Sequence, residues 1–171
     1  MIVYPAIDLR TGVCVRLMHG RFDAVTRYDD DPAARLGPVE VDDVSPVGPD
    51  HITLAIDVKA DGDRYIPALR GWTEAASIDL WAALDRYPPG VAKHLLVTDV
   101  GRDGALTGPN LDLLAEIHQR RPDLWLQASG GVADLSDLTG ARSVGATGAI
   151  VGRALYEGRF TLEQALETAR S

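Results

Sequence analysis

The chain has 171 residues, 46% of them hydrophobic, a formal net charge of -8 at neutral pH and a single cysteine. That length can bury a substantial core as one domain, and the acidity argues against nucleic acid, whose phosphate backbone calls for basic patches. A small phosphorylated ligand stays open, because backbone N–H groups and one or two arginines can hold it. The lone Cys14 allows no internal disulfide, no apolar stretch reaches the length of a membrane span, and no basic-then-apolar leader opens the chain. The expectation is a cytoplasmic, soluble protein without a membrane partner.

Residues 1–9 (MIVYPAIDL) read as a first strand ending on Asp8, with Pro5 awkward inside it because proline cannot donate to a ladder. Residues 12–17 (GVCVRL) alternate, as a short second strand or a loop covering the first. A helix is expected to start near residue 29, with Asp31 as its cap and Pro32 in its first position. Residues 37–50 (GPVEVDDVSPVGPD) hold three prolines and two glycines without any period, and read as an irregular junction inside one domain spanning 1–171.

Residues 51–58 (HITLAIDV) predict the next strand, again ending on an aspartate, Asp57. A Gly/Asp turn follows at 61–63, then Arg70-Gly71-Trp72-Thr73. A helix is expected over 78–87, with Ile78, Trp81, Ala82 and Leu84 near one face and Pro88-Pro89-Gly90 as its stop. The apolar run 95–97 then empties into Thr98, Asp99, Gly101, Arg102, Asp103 and Gly104, too polar and glycine-rich to continue a strand. Asn110 caps a helical pattern of Leu111, Leu113, Leu114 and Ile117.

Residues 124–128 (LWLQA) form a strand running into Ser129-Gly130-Gly131, and a helix starts at Asp134. Residues 146–151 (ATGAIV) form another strand, running into Gly152-Arg153. A last helix over 161–169 starts at Thr161, with Gln164 three residues on in capping-box spacing. Strands alternating with helices in this way predict a parallel sheet of about five βα units, where a full eight-unit barrel takes roughly 250 residues.

In such units the chemistry collects where the strands end. Asp8 and Asp57 end two strands, and a third empties into Thr98 and Asp103. Converging carboxylates suit general acid–base work; equally, aspartates at these positions cap turns. Ser129-Gly130-Gly131 and Gly152-Arg153 close successive strands, a pairing able to offer N–H groups to one phosphate or simply two tight glycine turns. The four histidines show no metal spacing, and neither GxxxxGK[ST] nor GxGxxG occurs, so neither metal nor nucleotide cofactor is expected. Trp72 suits stacking on a planar ring or covering the core.

The segments YPAIDLRTGVCVRL, RGWTEA, LLVTDVGRDGALTGPN, QASGGVADLSDL and GAIVGRALYEGRFTLEQAL, in this order, resemble the phosphoribosylformimino-5-aminoimidazole carboxamide ribotide isomerase family of histidine biosynthesis. The resemblance covers about residues 1–36 and 51–171. It implies a cofactor-free (β/α)8-barrel enzyme that carries out an Amadori rearrangement on a phosphorylated ribotide, aminoaldose to aminoketose. It further implies Asp8 as general base, Asp57 as general acid, and Thr98 and Asp103 as a supporting pair near the substrate's centre. Arg16 would contact substrate, Trp72 would stack on its ring, and Gly130, Gly131, Gly152 and Arg153 would hold a phosphate. The second to fourth βα units of the family barrel have no counterpart here. The fold expectation is therefore an incomplete TIM-type barrel made of the first and the fifth to eighth units, with open sheet edges that favour self-association. Two alternatives to the isomerase stand beside it: an inactive truncated member that binds only phosphate, and the sister cyclase that makes imidazole glycerol phosphate. Phosphoribosylanthranilate stays open as a further substrate.

Overall fold

The wall of the molecule is a seven-stranded sheet, seen in a computed structural model that describes residues 1–5, 8–10, 13–17, 25–29, 50 and 53–171, with residues 5–29 described by backbone alone. In chain order its parts are β1 (Ile2–Pro5), β5 (Thr53–Asp61), β6 (Arg64–Leu69), β7 (Glu74–Ala75), α1 (Leu80–Leu84), β8 (His94–Asp99), α2 (Leu111–Arg120), β9 (Trp125–Ser129), α3 (Leu135–Ser143), β10 (Gly148–Val151), α4 (Arg153–Tyr156) and α5 (Leu162–Arg170). A separate three-stranded antiparallel sheet is made by β2 (Asp8–Arg10), β3 (Val13–Leu17) and β4 (Val25–Asp29).

The strand order is β1-β10-β9-β8-β5-β6-β7. The five expected strands are the five parallel ones: β5 lies beside β8, β8 beside β9, β9 beside β10, and β1 beside β10. From β8 on each parallel strand is next to its predecessor, and β1 adds beside the last, β10, an α/β wall with the carboxyl ends of its parallel strands on one side.

Three expectations are corrected. The first strand stops at Pro5, its last residue in register with Val151, and Asp8 opens β2 instead, opposite Val15. Proline has no N–H with which to carry the ladder on. β5 does not end at Asp57 but runs to Asp61, where Gly62 (φ +58°) turns the chain into β6, antiparallel to β5 from Val58 to Asp61. An Asp-Gly turn between β-forming residues is a strong hairpin signal. The helix near 80 is only Leu80–Leu84, capped by Asp79 through Ala82 N–H, and it buries Leu80 and Leu84, whereas Ala82 is exposed. Residues 25–29 add a strand for which no expectation was made, and the helix expected through Asp31 and Pro32, like the junction at 37–49, lies outside the described residues.

Two apolar clusters hold the sheet to its helices. Leu95, Val97 and Leu126 pack with Leu80, Leu84, Leu113 and Ile117, while Val3, Ala149 and Val151 pack with Leu138, Ala165 and Phe160. Each fully buried leucine contributes about 1.5–3 kcal/mol relative to exposure. The caps fall where expected: Asn110 Oδ1 accepts from Leu113 N–H at 3.2 Å, and Thr161 and Gln164 form a reciprocal capping box. α3 carries a second one between Asp134 and Asp137.

Candidate active site

The site is set up by strand register. Asp57 of β5 stands opposite Thr98 of β8, and Thr98 stands opposite Ser129 of β9, so three polar side chains form one row across the parallel sheet. Beyond the row lies a cleft of about 190 Å³, walled by Trp72, Thr98, Asp103, Gly104, Leu106, Ser129, Gly130, Gly131, Val132, Ile150, Gly152 and Arg153. Seven residues singled out from the sequence (Trp72, Thr98, Asp103, Gly130, Gly131, Gly152, Arg153) thus face one space.

Asp57 joins the cleft through Trp72, whose indole Nε1–H donates to Asp57 Oδ2 at 2.7 Å. Trp72 reaches it from a strained turn. Arg70, Gly71 and Trp72 have φ of +51°, +64° and +71°, three left-handed residues in succession. For the two non-glycine residues that costs on the order of 1 kcal/mol or more each. The turn is held by Lys59 Nζ donating to Trp72 O at 2.6 Å, by Thr73 Oγ1 donating to Arg70 O at 2.8 Å, and by an Arg70–Glu74 ion pair at 3.0 Å.

Gly130 and Gly131 both have φ of +89°, a region that L side chains avoid. A Cβ on Gly131 would fall inside van der Waals distance of Gly108 O, and Gly108 N–H donates to Gly131 O at 2.9 Å. The tight-turn reading of Gly131 is thus accounted for by its packing against Gly108. Gly152 differs, with φ of -111°; it precedes α4 without a side chain to cap it, which leaves the helix's first N–H groups to other acceptors. Arg153 is partly committed: Nε donates to Glu157 Oε1 at 2.6 Å and Nη1 donates to Gly104 O.

Thr98 and Asp103 are buried at the cleft. Next to Thr98 in sequence, but behind the cleft wall, is a buried residue to which the sequence reading gave no role, Asp99, whose carboxylate accepts from Gly101 N–H at 2.9 Å and from Asn110 Nδ2–H at 2.7 Å. The Asp-x-Gly spacing of an Asx turn was the available signal. Asp8 and Arg16 are not placed with the others. Their backbones sit in the three-stranded sheet, Asp8 opposite Val15 and Arg16 opposite Thr26, and their side chains lie outside the described residues.

A row of hydroxyl and carboxylate groups beside a glycine-walled cleft can hold an anionic end of a ligand and pass protons at its centre. Among the described residues, no helix is long and apolar enough to cross a membrane.

Residues 38–161 match the family described as "Histidine biosynthesis protein". The 1-(5-phosphoribosyl)-5-((5-phosphoribosylamino)methylideneamino)imidazole-4-carboxamide isomerase of Maricaulis maris (strain MCS10) is 37% identical over 242 aligned positions, covering 99% of both proteins. That alignment is longer than the chain, so part of the relative has no counterpart here. The isomerase of the same name from Xylella fastidiosa (strain M23) is 30% identical, covering 97% of this chain and 89% of the relative. Its namesake from Erwinia tasmaniensis is 46% identical over 120 residues, which is 70% of this chain but only 49% of the relative. Against relatives of that last kind the chain spans about half their length. The match over most of its residues and the named isomerases among its relatives show that this chain belongs to the histidine biosynthesis protein family.

Proposed function

We propose that the chain is an aldose–ketose isomerase that carries out the isomerisation for which its relatives are named, as an Amadori rearrangement on a ribotide with a phosphoribosylamino arm. The observation that carries this is the single cleft shared by Trp72, Thr98, Asp103 and the Gly130, Gly131 and Gly152 turns, with Asp57 bonded to its wall. Backbone N–H groups at the glycine turns take one phosphate. Anchoring that end holds the ribose carbons near the carboxylates, where positioning can supply several kcal/mol.

The chemistry asks for one acid and one base. Asp57 gives a proton to the ribose ring oxygen as the C1–O bond breaks, leaving a protonated C1=N imine. Asp8 removes the C2 proton, and the electron pair moves to C1=C2 as the imine is neutralised. Tautomerisation of that enaminol gives the 1-amino-2-ketose, so no atom is gained or lost. Trp72 orients Asp57 and offers its ring to the substrate.

The cleft's 190 Å³ is below the roughly 300 Å³ at which ligand pockets begin, room for one phosphoribosyl arm rather than two. Substrate affinity should therefore be lower than in full-length relatives, while acid–base competence is kept. The same small volume favours, as second reading, a member that binds phosphate and turns nothing over. Turnover of the aminoaldose by the purified chain, with Asp8→Asn and Asp57→Asn purified in parallel, separates them. Activity that disappears in both variants supports the isomerase; no turnover, or turnover equal in all three, leaves the phosphate binder.

A further inference from the structure

Asp99 is 8% exposed, and it is not among the residues that wall the cleft. Its bonds nevertheless run to the loop that carries Asp103, a residue of the cleft wall, and to the start of α2. Oδ1 accepts from Gly101 N–H, and its main-chain oxygen accepts from Arg102 N–H at 3.0 Å and Asp103 N–H at 2.9 Å. The same oxygen is the surface against which Gly130 turns: a Cβ on Gly130 would lie 3.0 Å from Asp99 O and 3.3 Å from Asp103 N. Oδ2 accepts from Asn110 Nδ2–H and sits 3.7 Å from Arg102 Nε.

Asn110 has no freedom to turn over. Its Oδ1 caps α2 at Leu113 N–H, so its Nδ2 must face Asp99, and it also donates to Tyr65 OH of β6 at 3.2 Å. The carboxylate thus ties the β8 loop to the start of α2, and the main-chain oxygen of the same residue is what the Gly130 turn packs against.

We propose that Asp99 is a positioning residue: held between Gly101 and Asn110, it sets Asp103 and Gly130 at the distances the cleft needs. The proposal rests on the isomerase reading for what the cleft binds, but the lock itself is independent of that reading.

Asp99→Asn provides the test because it cannot satisfy both partners. Whichever way the new amide points, its NH2 meets a donor, either Gly101 N–H or Asn110 Nδ2–H. Asn110→Asp added to it restores the pair, since the new amide donates to the new carboxylate and that carboxylate still caps α2. The experiment follows the amide signals of Asp103, Gly130 and Gly152 during titration with inorganic phosphate, together with thermal midpoints, for the wild-type chain and both variants. The single variant is expected to displace the Asp103 and Gly130 signals and to weaken phosphate by at least about tenfold; the double variant returns both toward wild type. A single variant with a lower midpoint but unmoved signals and unchanged phosphate affinity would overturn the proposal, as would a double variant that restores nothing. If the wild-type chain binds no phosphate, the phosphate arm of the proposed function fails, and Asp99 is then judged on the Asp103 and Gly130 signals alone. Should the single variant not fold, Asn110→Asp by itself keeps the cap and sets a second carboxylate against Asp99. Displaced signals there support the lock, and unmoved ones overturn it.

Discussion

The indole N–H of Trp72 and the carboxylate of Asp57 meet at 2.7 Å across two strands and a left-handed turn. The bond ties the general acid we assign to the residue expected to stack on substrate. Trp72→Phe keeps an aromatic face and removes the donor. A hydrogen bond to a charged group contributes about 1.5–3 kcal/mol, so kcat should fall roughly tenfold to a hundredfold, while KM moves less. Trp72→Ala removes both functions and should raise KM as well. Steady-state kinetics of the two variants test this; a Trp72→Phe enzyme with wild-type kcat would show that the bond does not serve Asp57.

Gly131 and Gly152 wall the same cleft for different reasons, and substitution should separate them. Gly131→Ala meets both a left-handed φ and the Gly108 oxygen, so it should destabilise the fold by about 2–4 kcal/mol. Gly152→Ala carries no left-handed penalty and should retain most of the stability while crowding the anion end of the cleft. Chemical denaturation and phosphate titration of both variants give the comparison. Equal stability losses would contradict it.

Arg121 and Asp123 form a two-pronged pair, Nε to Oδ1 at 2.9 Å and Nη2 to Oδ2 at 2.8 Å, and Arg121 Nη1 also donates to Leu84 O at the end of α1. The hydrogen bond from Arg121 holds the Asp123 carboxyl below its ordinary range, against the upward push of burial. A depressed carboxyl contributes stability that is complete above its unfolded value, near pH 4, and is lost as pH falls through the folded value. Asp134 has the same sign, through its bond from Ser136. Asp123→Asn should therefore lower stability at neutral pH by about 1 kcal/mol, the low end for a partly exposed pair, and flatten the acid limb. Urea unfolding between pH 3 and 7 measures both; an unchanged acid limb would remove Asp123 from the account.

The five parallel strands leave Thr53–Asp57 of β5 with a strand on one side only among the described residues. We therefore expect self-association, read as a solution mass above that of one chain. A monomer at high concentration would show that this row is covered by another part of the chain.

Four of the five parallel strands were legible as apolar runs closed by glycine or aspartate, whereas β1 is ended by Pro5, and the caps were legible because Asn110, Asp134 and Thr161 act within three residues of themselves. The gathering of Thr98, Asp103, Gly130 and Gly152 followed from one rule, that strand ends share a side. The hairpin partner β6 was not legible. Its sequence, RYIPAL, carries Pro67 and no firm alternation, and only the free side of β5 makes it a strand. Asp99 was missed because an aspartate at a strand end reads as solvated until its partners are known; Asn110 lies 11 residues from Asp99, and Tyr65 lies 45 from Asn110.

The short β6 has a further consequence for how this molecule behaves in a crowded solution. It covers β5 from Val58 onward, so among the described residues the unpaired row stops at Asp57 although β5 is nine residues long. A strand from another molecule can align with only the first part of β5 before meeting Pro67 and the chain around it. Edge-to-edge growth is thereby restricted to a short contact, and a shift toward longer cross-molecule ladders would require the hairpin to peel away first. Variants that weaken the Asp61-Gly62 turn should therefore lengthen the exposed edge and aggregate more readily than the wild-type chain, which light scattering under native conditions would show.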